Sequence, residues 1–320
     1  MFTQAIETIK SASKIAVYTH KNPDGDAMGS AYALKLALLS LGKLADVYLD
    51  DGNSVKLFAF TKGVEVCLLD NGEKLLENDC DLRICVDCAD KKRLGLKFSN
   101  FTGNTIAIDH HMTHEEFANI TVLDGNVASC GELVYKLICE LEIEITTDIA
   151  DNLYMAIAAD TGGFKYQAVT ADTMRIAGDL IDKGANFTEV MRQIFDVYSM
   201  EYLKLIKIAI DKIKLYNNGK IAVLPLEGKD YVKAGISEQV ADRIVDLPRN
   251  IDGVEVSIYV RQRKGAETKV SLRANGNVNV AEIARNFGGG GHIRAAGFET
   301  RKKSEIAVRE VLEVLRGELA

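Results

Sequence analysis

Tryptophan is missing from this 320-residue sequence altogether, proline occurs three times and histidine five times. Extended single-stranded nucleic acid is normally held by a basic track interleaved with stacking aromatics. With aromatics at 7% and a net charge of −7, the chain supplies neither, so tight binding of long nucleic acid is not expected. No stretch approaches 18 uninterrupted apolar residues, so no membrane span is expected. The richest stretch, Ala31 to Leu41, is broken by Lys35 and Ser40 and reads as a buried helix. The opening MFTQAIETIKSASK lacks the basic start and apolar core of a signal peptide, so a cytoplasmic location is expected. Cysteines are few and scattered: Cys67, Cys80, Cys85, Cys88, Cys130 and Cys139. In a reducing compartment they read as small core residues. Cys85 and Cys88 form a C-x-x-C, but no second pair follows to complete a zinc site.

What is present fits a globular protein, with 47% apolar and 27% charged residues. Charge is uneven. From residue 211 onward there are 19 Lys+Arg against 15 Asp+Glu, or +4, which leaves −11 for the rest. That division is either scatter or an acidic half suited to cations beside a basic half suited to anions.

Short apolar runs alternate with helical patterns through the first half. Strands are expected at Lys14 to Thr19, Ala45 to Leu49, Leu82 to Asp87 and Thr105 to Asp109. Helices are expected at Asp26 to Leu41, Ser129 to Leu141, Thr147 to Ala159 and Ala171 to Lys183. Strands alternating with helices predict an α/β fold with a mostly parallel sheet. A helical stretch then leads into a smaller α/β domain. It carries a hairpin around Asn217-Asn218-Gly219, strand patterns in VEVSIYV and TKVSLRA, a short helix at Val280 to Asn286 and a C-terminal helix. The predicted division is a catalytic domain over 1–188, a connecting helix over 189–211 and a substrate domain over 212–320.

The histidines cluster with aspartates at the ends of the predicted strands. His20 follows KIAVYT, Asp87 ends LRICVD, and Asp109-His110-His111 ends TIAID. In open parallel sheets, ligands bind outside the carboxyl ends of the strands. Pro23 and Gly25 shape a turn that can aim Asp24 and Asp26 back at His20, and Asp160 closes a helical run. Gly29 and Ser30 are expected to open the next helix and offer free N–H groups to an anion. Carboxylates this crowded repel unless cations join them. Two divalent ions would resolve the crowding and favour phosphate hydrolysis, and mixed imidazole and carboxylate ligands suit Mn²⁺, Fe²⁺, Co²⁺ or Zn²⁺. His111, adjacent to a candidate ligand, need not bind metal and could instead contact the phosphate. His114, in the polar stretch MTHEE, reads as a solvated loop residue.

HKNPDGDAMGS, VDCAD, IDHH and AADTGGF resemble the four motifs of the DHH phosphoesterase superfamily, and GGGGHIRAAGF resembles the signature of its associated C-terminal domain. The resemblance spans about residues 14 to 298. Length and domain order are similar to the nano-RNase branch, which degrades very short RNA and dephosphorylates 3′-phosphoadenosine 5′-phosphate (pAp). Carried over by position, the resemblance implies two metal ions, Mn²⁺ above all. His20, Asp24 and Asp87 would hold one, and Asp26, Asp87, His110 and Asp160 the other. Asp109 would stand behind them or bind weakly as a ligand, and would serve catalysis with His111, which would touch the phosphate. Arg273, Gly289, Gly290, Gly291 and His292 would bind substrate. The implied activity is hydrolysis of oligonucleotides of about two to five residues from an end, and of pAp to AMP. A cyclic or linear dinucleotide phosphodiesterase and a non-catalytic nucleotide sensor are the alternatives. Expected partners are short RNA or DNA or small phosphorylated nucleotides, without long nucleic acid or membrane, and with room for a homodimer.

Overall fold

The computed structural model describes residues 1–49, 66–68, 80–94, 103–238, 244–262 and 267–318. The chain forms two compact units, Met1–Val197 and Tyr198–Ala320.

The first unit is built on a parallel sheet. Its strands are β1 (Lys14–Tyr18), β2 (Leu44–Leu49), β3 (Val66–Leu68), β4 (Leu82–Val86), β5 (Asn104–Asp109) and β6 (Ile120–Leu123), in the order β3-β2-β1-β4-β5-β6. All described pairings are parallel. The central strands read as unbroken apolar runs because both of their faces are covered. Ile15 and Val17 enter the larger core, while Ala16 and Tyr18 enter a smaller one with Tyr48, Cys85, Cys88 and Leu94. The strand order reverses between β1 and β4. The chain builds outward to β3 on one side and then returns to build β5 and β6 on the other. Such a reversal leaves a crevice at the carboxyl ends of the two strands that flank it. His20 follows β1 and Asp87 follows β4, so both lie at that crevice.

Helices α1 (Thr3–Ser11), α2 (Gly25–Ser40), α3 (Cys130–Glu140), α4 (Thr147–Asp160) and α5 (Ala171–Asp182) complete this unit up to residue 182. Helix α2 is buried on nearly every side, as its almost uniformly apolar sequence requires. It meets α4 at close range through Gly29, where an added Cβ would land against the Asn152 carbonyl oxygen and 2.9 Å from Ala156 Cβ. Gly131 of α3 meets the same Ala156.

The stretch expected as one connecting helix is divided. Helix α6 (Phe187–Met191) continues into a π-turn, Arg192–Asp196, and the backbone is extended at Val197. Ser199 Oγ then accepts from the Tyr202 N–H at 3.1 Å and starts α7 (Met200–Lys212) afresh. A serine in that position is an N-cap, which the absence of Pro and Gly concealed.

The second unit carries a mixed sheet. Strands β7 (Lys214–Tyr216), β8 (Ile221–Glu227), β9 (Val256–Gln262), β10 (Thr268–Ala274), β11 (Gly290–His292) and β12 (Ala295–Thr300) lie in the order β11-β12-β10-β9-β8-β7. Only β8 and β9 pair in parallel among the described strands. The predicted hairpin joins β7 to β8, with Asn217, Asn218 and Gly219 all at positive φ. Helix α8 (Gly228–Ala234) and α7 cover one sheet face, where the Tyr231 and Tyr259 hydroxyls meet at 2.6 Å. Helices α9 (Val280–Arg285) and α10 (Ser304–Glu318) cover the other. The sequence patterns do not mark α1, β3, β6, α8, β11 or β12, each of which is short.

The cysteines are not all core residues. Cys85, Cys88 and Cys130 are buried, Cys80 is half-buried and Cys139 is exposed, while the Cys67 side chain lies outside the described residues. No helix among the described residues is long and apolar enough to cross a membrane.

Gly29→Ala should lower stability by at least ~1–3 kcal/mol, because the new methyl meets backbone that cannot swing away. Urea titration followed by circular dichroism checks this, and an unchanged midpoint would contradict the close α2–α4 contact.

Candidate metal centre

The loops after β1, β4 and β5, the start of α2 and the end of α4 converge at the crevice. Asp87 leaves β4 with φ at +54°, a left-handed conformation that aspartate tolerates better than most residues. Its N–H donates to the Ile108 carbonyl at 2.9 Å, which ties the turn to β5. The carboxylate is buried, and its Oδ1 has no hydrogen-bond partner among the described residues. A buried carboxylate oxygen left in this way is costly unless a cation or a proton reaches it.

Three groups of side chains gather around that carboxylate with their ligand atoms within 4.8 Å of one another. They are His20 with Asp24 and Asp87, Asp26 with His110 and Asp160, and Asp87 with His110 and His111. His20 Nδ1 lies 2.9 Å from the Lys21 carbonyl oxygen, and a carbonyl only accepts, so that nitrogen carries the proton. Nε2 is therefore the nitrogen turned to the side where Asp24 and Asp87 stand, at 3.8 and 3.6 Å, and the one available to a cation there. His110 Nε2 is 3.8 Å from Asp26, 3.6 Å from Asp87 and 3.4 Å from Asp160. These gaps are too long for good hydrogen bonds. They are close to the ~3.0–3.4 Å that separates two ligand atoms each about 2.1 Å from one ion. The donor set thus fits cations, with Asp87 common to two groups.

Electrostatics points the same way. Burial raises the Asp26 carboxyl well above its ordinary range, and Asp87 and Asp160 raise it further against the pull of His110. Burial would depress His20 and His110, yet the surrounding carboxylates outweigh it and carry both imidazoles up to about 10. Asp160 is pushed up to about 7, by burial first and then by Asp24 and Asp87, with His110 opposing. With no ion present, shared protons neutralise a cluster that cations would otherwise neutralise.

Asp26 is held by partners that sequence reasoning missed. Its Oδ2 accepts from the Cys130 N–H at 2.6 Å, and its Oδ1 accepts from Gly131 N–H at 2.9 Å and Ser30 Oγ at 3.1 Å. The first two are N–H groups at the start of α3, where the helix dipole favours negative charge. The only available signal was the Ser129 cap, and it gave no hint of the partner. The expectation for Gly29 and Ser30 is corrected here. Helix α2 begins at Gly25, and Asp24 Oδ1 takes the N–H groups of Asp26 and Ala27, both at 3.1 Å. No free helix start remains there for an anion.

Asp109 differs from the other aspartates. Its Oδ1 accepts from His110 N–H at 2.9 Å and His111 Nδ1 at 2.7 Å, and its Oδ2 from His114 Nδ1 at 2.6 Å. Burial alone would raise this carboxyl, but His111 and His114 outweigh it and hold it below the usual carboxylate range. Both oxygens are thus engaged by protein donors, and Asp109 belongs to none of the three ligand groups. His114 is no solvated loop residue, since its side chain is 1% exposed and packs against the Phe117 ring, tilted by 35° with centroids 5.4 Å apart. The polar letters of MTHEE concealed a turn that folds inward.

In the second unit, a shallow depression of about 440 Å³ is lined by Lys269, Ser271, Arg273, Gly290, Gly297 and neighbours on β12. Arg273 Nη1 donates to the Leu272 carbonyl at 3.1 Å, and Nε lies 3.6 Å from Asp246. The glycine run divides by role. Gly288 and Gly289 N–H groups donate to the Arg285 and Ala284 carbonyls, so they close helix α9 rather than cradle a phosphate. A Cβ at Gly289 or Gly291 would strike β12, whereas Gly290 faces open space. His292 pairs with Ala295 in the sheet, and its side chain lies outside the described residues.

The profile of the DHH family, N-terminal domain, matches residues 14–157, and that of the DHHA1 domain matches residues 218–320. A bifunctional oligoribonuclease and PAP phosphatase NrnA from Thermus thermophilus is 32% identical over 308 residues, covering 95% of this chain and 90% of that protein. The chain belongs to the DHH family. A crystal structure of an exopolyphosphatase-related protein from Bacteroides fragilis matches this DHH protein with a TM-score of 0.89 and 28% identity, covering 99% and 98% of the two chains. Exonuclease RecJ bound to manganese shares the fold at a TM-score of 0.50 and 16% identity, covering 99% of this chain and 93% of RecJ. The predicted α/β class with a DHH domain and a smaller associated domain is thereby met, and the chain is a DHH-family phosphoesterase.

Asp87→Asn removes the charge common to two ligand groups while keeping the shape. Loss of a side chain behind a metal ligand costs about 10–100-fold in affinity or activity, so loss of this carboxylate should exceed ~100-fold. Elemental analysis should show metal content falling with activity while the circular dichroism spectrum persists. Full metal occupancy in the variant would refute a shared role for Asp87.

Proposed function

We propose that this protein hydrolyses the phosphoester bonds of very short oligonucleotides, about two to five residues long, and of pAp, with two divalent cations that are Mn²⁺ by preference. The observation that carries the reading is the buried Asp87 Oδ1, without a hydrogen-bond partner among the described residues, in a carboxylate common to two ligand groups. Similarity to a bifunctional oligoribonuclease and PAP phosphatase across nearly the full length supports the substrate class. The mixture of imidazole and carboxylate donors supports Mn²⁺, the ion held in the RecJ structure.

His20, Asp24 and Asp87 would hold one cation, and Asp26, Asp87, His110 and Asp160 the other. When bound, divalent cations polarise the phosphoryl group and make water a nucleophile at neutral pH. The protein's own groups supply orientation. Asp109 fixes the His111 ring through Nδ1, which leaves Nε2 as the nitrogen available to a phosphate oxygen. His111 would then stabilise charge that grows on that oxygen during attack. Arg273, with a forked guanidinium beside the open backbone at Gly290, would take a phosphate or base of the substrate. Gly289, Gly291 and His292 would shape the β11–β12 edge beside it.

Short substrates are favoured because the depression beside Arg273 and Gly290 is compact and the sequence holds no tryptophan to build a stacking track. A panel of oligonucleotides from about two to about 24 residues, with pAp and cyclic dinucleotides, tests this in the presence of Mn²⁺. Rates should be highest for the shortest strands and for pAp, and should fall steeply with length. Equal or faster loss of the longest strand would replace this reading with a processive exonuclease. Preference for a cyclic dinucleotide would replace it with the phosphodiesterase alternative.

His111→Ala should leave metal content intact and lower kcat by about 10²–10³, the usual cost of one transition-state donor. Metal loss in that variant, read by elemental analysis, would make His111 a ligand instead.

A further inference from the structure

His114 has no part in the chemistry assigned so far, yet its surroundings are specific. The His114 N–H donates to the His111 carbonyl at 3.1 Å, so residues 111–114 form a turn that closes on itself. The next N–H, of Glu115, donates to the Ala89 carbonyl at 2.8 Å and anchors the turn to the loop after β4. Two imidazoles three residues apart therefore land on one carboxylate. His111 Nδ1 meets Asp109 Oδ1 at 2.7 Å and His114 Nδ1 meets Oδ2 at 2.6 Å.

Asp109 is fully buried, so water cannot replace a missing donor. Oδ1 has both His110 N–H and His111 Nδ1, whereas His114 is the one donor to Oδ2 among the described residues. An ionised oxygen deprived of its donor in a dry site turns toward another donor or takes a proton. Rotation of the carboxylate frees the Nδ1–H of His111, and a proton on Oδ2 leaves Oδ1 a weaker acceptor for it, so the ring can turn or switch tautomer. His114 Nε2 is itself buried without a partner among the described residues, and a ring whose Nδ1 holds the proton can leave Nε2 as a bare lone pair. Packing against Phe117 fixes the ring in that one orientation.

We propose that His114 is a positioning residue. It locks the Asp109 carboxylate so that Asp109 holds His111 as the Nδ1–H tautomer with Nε2 presented. Its effect on rate rests on the proposed role of His111 at the phosphate, whereas its effect on the His111 ring does not.

The two parts are read separately. The first measurement follows ring nitrogens by ¹⁵N-histidine NMR in the protein without added metal, where five histidines make assignment tractable. Wild type and His114→Asn should both show His111 as the Nδ1–H form, because an asparagine amide nitrogen occupies the place of Nδ1. In His114→Ala and His114→Gln the His111 signals should move to a mixture of tautomers. The second measurement is hydrolysis of bis(4-nitrophenyl) phosphate with Mn²⁺, a probe independent of which nucleotide is the natural substrate. His114→Ala should lose about 10–100-fold in kcat with KM and metal content unchanged, and His114→Asn should recover most of that loss. In the His111→Ala background, adding His114→Ala should cost little more, since the two act in series. An unchanged His111 tautomer in His114→Ala would overturn the proposal. So would failure of asparagine and glutamine alike, or fully additive losses in the double variant. A normal tautomer shift with no change in kcat would retain the lock and overturn the catalytic role of His111.

Discussion

Negative charge at the carboxyl ends of β1 and β4 is the constraint on which the first unit turns. Five aspartates, Asp24, Asp26, Asp87, Asp109 and Asp160, stand among four histidines, and Asp26, Asp87 and Asp109 are buried. The repulsion of the buried carboxylates would open the fold if nothing opposed it. The structure opposes it by dividing the work. Asp26 and Asp109 are held by protein donors, Asp26 by the start of α3 and Asp109 by two imidazoles. Asp87 has no such donor on Oδ1 and is the oxygen that calls for a cation. Rigid carboxylates around one unsatisfied carboxylate make a site that exists before any ion arrives.

Sheet topology explains why this charge can be gathered at all. Parallel strands deliver their ends to one edge, and the reversal between β1 and β4 opens a gap there. His20 and Asp87 come from the two flanking strands, and Asp109 and His110 from the next one outward. The helices behind the sheet add Asp26 near the start of α2 and Asp160 at the end of α4. Every contributor lies on a regular element or within two residues of one, so rigidity comes from the sheet and its helices rather than from long loops.

Much of this arrangement was legible in the sequence because strand ends are visible in apolar runs. His20, Asp87 and the Asp109-His110-His111 triplet stand where those runs stop, and the fold class follows from the alternation itself. What could not be read depends on pairing across distance. Nothing near Asp26 announces that backbone N–H groups more than 100 residues away will hold it. Nothing in MTHEE tells a buried imidazole from a solvated one, because local polarity does not reveal which way a turn folds. The glycine run looked uniform, yet Gly289 and Gly291 are required by contact with β12 while Gly290 lies open. Identical letters there answer to different steric demands.

The contact of α2 and α3 on Ala156 bears on how such a protein can change through mutation. A core usually tolerates enlargement at one position when a neighbour shrinks to make room. Here the neighbours are Gly29 and Gly131, already the smallest residues available. Ala156 therefore has no compensating partner, and the three positions cannot drift as a set. Asp160 lies one helical turn beyond Ala156, so the spacing that forbids a larger side chain also sets the height at which that carboxylate is delivered. Sequence freedom at these three sites is limited by the spacing of the helices, and of the three Gly131 alone reaches the site itself, through its N–H on Asp26.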